Sequence, residues 1–221
     1  MIGGKIQNYR NILRRYIRDY GENEDINRAV QVLERVKRDV LKAQDKTELI
    51  GYEGMASNAY FEVLPILILN QKTDFPFHGR NRRPPKDAVN AMLSFAYTLI
   101  ANDVAAALET VGLDPYVGFL HTLRPGRTSL ALDMMEELRA YLGDRFILSL
   151  INKRQISVKD FLFQGDNGVV MTDKGKKTFI TAWQARKREV IIHPYLNRKV
   201  RNRLLPYVQA MLMARYIRRG Y

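Results

Sequence analysis

The sequence predicts a mainly α fold in a single domain, with one small β-hairpin. Three observations carry that expectation. Apolar residues recur at intervals of three and four through most of the 221 residues, which places them on one stripe of successive helices. Capping side chains and glycines stand at the ends of these periodic stretches. Only residues 161–172, centred on Asp166-Asn167-Gly168, read as a hairpin, because Asn-Gly accepts the positive backbone angles of a tight turn. No internal repeat or low-complexity tract is present.

Ile6, Tyr9, Leu13 and Tyr16 keep helical spacing, and Gly21 ends that first helix. Asn23 or Asp25 opens a second, whose stripe is Ile26, Val30, Leu33, Val36 and Val40. Asp45 followed by Glu48 predicts a third with reciprocal capping. It carries Glu53 and continues into Leu64 and Leu67, with Pro65 as a kink. Over 70–86 the periodicity stops, and the polar, Arg-rich composition predicts a long loop. Asp87 caps a long helix through Val111, stopped by Gly112. His121 falls in a loop closed by Pro125 and Gly126. Thr128 or Ser129 then caps a helix bearing Asp133 and Glu136, which runs past Gly143 toward Asn152. After the hairpin, two helices around 174–190 and 204–218 close the chain.

Length and charge bound the function. A chain of this size buries roughly 70–75% of the surface its unfolded form exposes. Lys and Arg number 36 against 23 Asp and Glu, a net charge of +13, which points to a polyanionic partner such as DNA. The absence of cysteine removes disulfides and Cys-based zinc sites and is compatible with a cytoplasmic setting. No secretory signal is visible, and the apolar run 63–69 is too short to span a bilayer, so no membrane partner is expected.

The chemistry concentrates in residues 118–139. Asp133 and Glu136 lie three apart, so both carboxylates leave one helix face. At about 4 Å they repel by roughly 4 kcal/mol at an effective dielectric of 20, a conflict that a divalent cation removes. His121 beside them is either a satisfied loop histidine or a ligand. Glu53, among the small residues Gly51, Gly54, Ala56 and Ala59, is either a structural ion-pair partner or a ligand, and the glycines predict a helix packed closely there. Arg124 and Arg127 suit phosphate. His78, Arg80, Arg82 and Arg83 in the long loop are either solvated or in contact with DNA; His193 and Trp183 read as structural. Metal-dependent phosphodiester chemistry follows as the first functional expectation.

Four separate blocks also resemble one known family: Gly51-Tyr52-Glu53-Gly54 with Ala56, Ala59, Tyr60 and Phe61; Phe77-His78-Gly79-Arg80-Asn81-Arg82-Arg83-Pro84-Pro85; residues 90–97; and residues 118–139. They resemble the CRISPR-associated spacer-acquisition integrase, the universal adaptation subunit, most closely in its type I-C forms. The resemblance implies a helical catalytic domain over 1–221, with an N-terminal helical pair at 1–45 and a metal-site core at 46–221. It implies Mn²⁺ or Mg²⁺ held by Glu53, His121 and Glu136, with Asp133 as a further acidic member. The implied reaction is attack of a prespacer 3′-hydroxyl on a repeat phosphodiester. The implied partners are DNA, the small adaptation subunit and a second copy of the chain. The family's N-terminal β-rich domain and short C-terminal tail have no counterpart here. The resemblance therefore predicts weak self-association and poor integration by this part alone. Two other classes stay open: a non-catalytic basic DNA-binding module, and a metal-dependent nuclease that cuts branched DNA without joining.

Overall fold

The structure is a computed structural model that describes residues 1–122 and 124–219. Among the described residues there are eight α-helices. α1 (Ile2–Tyr20), α2 (Glu24–Val40) and α3 (Lys46–Val63) pack in sequence as a helical layer. Their starts follow the expected caps: Asn23 accepts from the Ile26 amide at 3.1 Å, and Asp45 accepts from the Glu48 amide at 2.9 Å. The reciprocal bond is displaced by one residue, because Glu48 accepts from Gln44 at 2.8 Å. Pro65 ends α3 rather than kinking it: the helix stops at Val63 and a 3₁₀ turn covers Leu64–Leu67.

α4 (Ala88–Thr110) is the spine of the second layer, capped by Asp87 through the Asn90 amide at 2.7 Å. It is long and apolar enough to cross a membrane, but half of its most apolar stretch is buried within the protein. It packs against α5 (Ser129–Leu138) and α8 (Leu205–Arg219). α5 and α6 (Arg145–Asn152) are joined without a break by a π-helical turn, Arg139–Asp144. Gly143 sits there because an added Cβ would come within 3.0 Å of the Tyr97 ring. α7 (Asp173–Arg188) closes the core through an edge-on aromatic chain of Phe146, Phe179 and Trp183.

The expected hairpin pairs β1 (Phe161–Phe163) with β2 (Val169–Met171), Phe163 opposite Val169. Its connection is a 3₁₀ turn over Gly165–Asn167, longer than a two-residue turn. A second hairpin, β3 (Val190–His193) with β4 (Arg198–Arg201), was not expected. Its strands are mostly exposed and β4 is basic, which hides the alternation. The signals were present in the β-branched run Val190-Ile191-Ile192 and in Asn197, which takes φ 50° at the turn. The loop over 70–86 is ordered. Asn152 accepts from the Leu69 amide at 2.8 Å, and Asn90 donates to the Gly79 carbonyl at 2.9 Å.

Candidate active site

The site begins with a close approach of α1 and α5. A Cβ on Gly4 would stand 3.0 Å from Glu137 Oε2, and Asn8 donates to the Glu137 carbonyl at 2.7 Å. That docking brings Lys5, only 1% exposed, under both acidic helices. Its ammonium contacts Glu53 of α3 and lies 2.7 Å from Glu136 Oε2 of α5. The carboxylates that converge are therefore Glu53 and Glu136, drawn from different helices, and not Asp133 and Glu136. Ser57 donates to Glu53 at 2.9 Å, and Arg139 reaches Glu136 Oε1 at 3.0 Å.

Electrostatics follow this geometry. Burial works against the Lys5 charge, yet Tyr9, Glu136 and Glu53 together hold its pKa above the usual lysine value. Burial pushes the Glu53 carboxyl up, and the Lys5 ammonium outweighs it, leaving Glu53 below its usual range. Glu136 Oε2 is buried and has no hydrogen-bond partner despite its proximity to Lys5.

Asp133 faces the other way. It is fully buried, and its oxygens accept from the amides of Phe119 (2.6 Å), Leu120 (2.8 Å) and His121 (2.9 Å). The His121 ring lies against it through Nδ1 at 2.6 Å. Burial raises the Asp133 carboxyl, but these contacts, His121 first, hold it below its usual value. Asp133 thus positions the loop and the imidazole, leaving Nε2 as the nitrogen open to a ligand. Gly118 permits this arrangement, since a Cβ there would meet Ser129 at 2.7–2.8 Å and Asp133 Oδ2 at 2.9 Å. The expected cap of α5 is absent: Thr128 makes no capping bond, and the Ser129 hydroxyl donates to the Thr122 carbonyl at 3.2 Å.

Glu53, His121, Glu136, Arg82, Arg127 and Arg139 line one cavity of about 260 Å³. Among the described residues, no three His, Asp or Glu side chains stand close enough to form a ready metal cluster. The donor set still fits a hard divalent ion: two carboxylates already meet at one cation, an imidazole shares their cavity, and one buried carboxylate oxygen lacks a hydrogen bond.

The basic residues divide. Arg82 and Arg127 line the cavity, whereas Arg83 and Arg124 are exposed beyond it. Arg80 is engaged within the fold, donating to Asn90 at 2.6 Å and Ser94 at 3.1 Å over the Tyr97 ring. It anchors the loop from within the fold, whereas Arg82 and Arg83 are exposed. Gly51 and Gly54 face open space, so the close helix approach occurs at Gly4 instead.

Sequence reasoning passed over Lys5, Arg139 and Asp144. Lys5 interrupts the buried stripe Ile2, Ile6, Tyr9 and Leu13, which was the available signal. Behind Arg139, whose guanidinium lies 4.7 Å from the Tyr97 ring, Tyr97 donates to buried Asp144 at 2.6 Å.

Residues 1–185 match the family described as CRISPR associated protein Cas1. A CRISPR-associated endonuclease Cas1 of Chlorobaculum tepidum is 50% identical over 97% of this chain, which spans 64% of that relative. The corresponding protein of Leptospira interrogans is 45% identical over 99% of the chain, which spans 87% of it. Among solved structures, a Cas1 protein from Thermotoga maritima superposes with a TM-score of 0.79 at 27% identity, over 98% of this chain and 65% of that one. A casposase bound to integration product shares the fold at 22% identity, with a TM-score of 0.80 over 100% of this chain and 62% of that one. With its helical core, its acidic pair and its Asp133-held histidine loop on the stretch that these proteins share, the chain belongs to the Cas1 family.

Proposed function

We propose that this chain is the catalytic part of a metal-dependent DNA integrase of CRISPR adaptation, joining prespacer 3′-hydroxyl ends to a repeat by exchange of phosphodiesters. The observation that carries this reading is the convergence of Glu53 and Glu136 on one cation position, in the cavity that also holds His121. Glu53, Glu136 and His121 Nε2 would hold Mn²⁺ or Mg²⁺, which supplies polarisation of the phosphate oxygen and charge stabilisation as phosphorus becomes pentacoordinate. Asp133 fixes the imidazole and its loop before substrate arrives. Arg82 and Arg127 hold the phosphate at the cavity wall. The +13 charge draws in duplex DNA. The small adaptation subunit and a second copy of the chain are the proposed protein partners.

A labelled prespacer, a plasmid repeat and the small subunit in Mn²⁺ provide the test. Joined product is expected, and Glu136→Gln and His121→Ala should each reduce it by at least about 100-fold. Cleaved, unjoined ends would favour a nuclease, the activity in the names of the relatives. The internal neutralisation of Glu53 and Glu136 by Lys5 and Arg139 favours a second reading, a DNA-binding module with a structural acidic cluster. Unchanged branched-DNA binding with no chemistry in any variant would select it.

A further inference from the structure

We propose that Lys5 is the resident cation of this site, and that a divalent ion must displace its ammonium to reach Glu53 and Glu136. The inference rests on the metal-site reading above.

Lys5 is no surface lysine settled on an acid patch. It is buried on α1, where Gly4 packs closely on the Glu137 side chain and Asn8 fixes the register one turn later. Its ammonium is the point at which the two carboxylates meet. Glu53 and Glu136 carry two negative charges, and Lys5 and Arg139 carry two positive ones, so the cluster is neutral without any ion. A divalent ion entering beside an ammonium that stayed in place would face like-charge repulsion, least screened on the side of buried Lys5 and Glu136. With the ammonium withdrawn, the ion finds the Glu53 carboxylate and Oε2 of Glu136, whose Oε1 stays with Arg139.

The structure also offers the ammonium a second seat. Tyr9 lies one turn further along α1, its ring centroid 5.6 Å from Nζ, and its buried hydroxyl has no hydrogen-bond partner. The four-carbon stem of lysine makes such a swing without backbone movement. Lys5 thereby keeps two acidic helices together before the ion arrives and weakens the ion's net affinity, since every binding event includes its displacement.

The test is Mn²⁺ titration of the whole chain, read by electron paramagnetic resonance of the free ion, together with melting temperature with and without Mn²⁺. The wild type, Glu136→Gln, Lys5→Met, Lys5→Gln and Lys5→Arg are compared. Wild type should bind Mn²⁺ at a site that Glu136→Gln removes. Lys5→Met and Lys5→Gln should bind about tenfold tighter or better, melt lower without metal, and gain more from Mn²⁺ than wild type does. Lys5→Arg keeps the charge and should bind no tighter than wild type. Equal or weaker Mn²⁺ binding by the folded neutral variants, with the wild-type site intact, overturns the Lys5 inference while leaving the metal site standing. Mn²⁺ binding that Glu136→Gln leaves unchanged, or no binding by any variant, overturns both. Failure of both neutral variants to fold even in Mn²⁺ also overturns the inference, because a competitor is dispensable once the ion is present.

Discussion

Asp133 carries more of the site than its position one turn from Glu136 suggests. Three backbone amides and an imidazole converge on its carboxylate. An Asn replacement keeps one acceptor oxygen and turns the other into a donor, leaving amides of 119–121 unpaired at about 1–3 kcal/mol each. Asp133→Asn should therefore fold with a lower melting temperature, and the amides of Phe119, Leu120 and His121 should exchange hydrogen faster than those of α4. Unchanged exchange at these three would remove the positioning role. Asp144 behaves differently. Burial lifts its carboxyl to about 6, above its value in an unfolded chain near 3.9. The folded state holds a proton that the unfolded chain has released, so this contribution to stability is full below about pH 4. It is lost as pH rises through about 6, on the order of 3 kcal/mol in all. Asp144→Asn, which can still accept from Tyr97, should flatten the fall in melting temperature across that window. An identical slope in the variant would show that other groups govern it.

At the scale of elements, the site is a loop and three helices held by two close approaches. Gly118→Ala must displace the Ser129 backbone at the start of α5. It should cost several-fold in joining activity even where the melting temperature changes little, because the loop carries His121. The helical fold was legible because Asn23, Asp45 and Asp87 each announce a helix start and each caps one. Glu53, His121 and Glu136 were grouped by the family resemblance, whereas spacing alone gave them no common geometry. Spacing along one helix paired Asp133 with Glu136, whereas the actual partner of Glu136 arrives from α3 through packing. Lys5 was missed because a lysine in an amphipathic helix reads as a snorkelling surface residue. Its burial depends on α5, which lies more than a hundred residues downstream.

For the molecule as a whole, the net charge of +13 makes the proposed encounter with DNA sensitive to salt. Duplex binding should weaken steeply from low to physiological salt, each phosphate contact adding about 0.9 to the log–log slope. A flat titration would contradict a basic binding surface. Exchange of Arg82 and Arg83 for Ala should shallow that slope. Arg80→Ala should instead lower stability, since its guanidinium is bound to Asn90 and Ser94 inside the fold. The bridge from Lys5 to Glu136 has a consequence in time as well as in space. It joins residues 131 positions apart, so the centre cannot form before α5 is available to pack on α1. A ribosome-bound chain that has not yet released α5 holds Lys5 and Glu53 but no second acid from α5. Such a chain would lack the acidic pair proposed for catalysis until α5 is free to pack on α1.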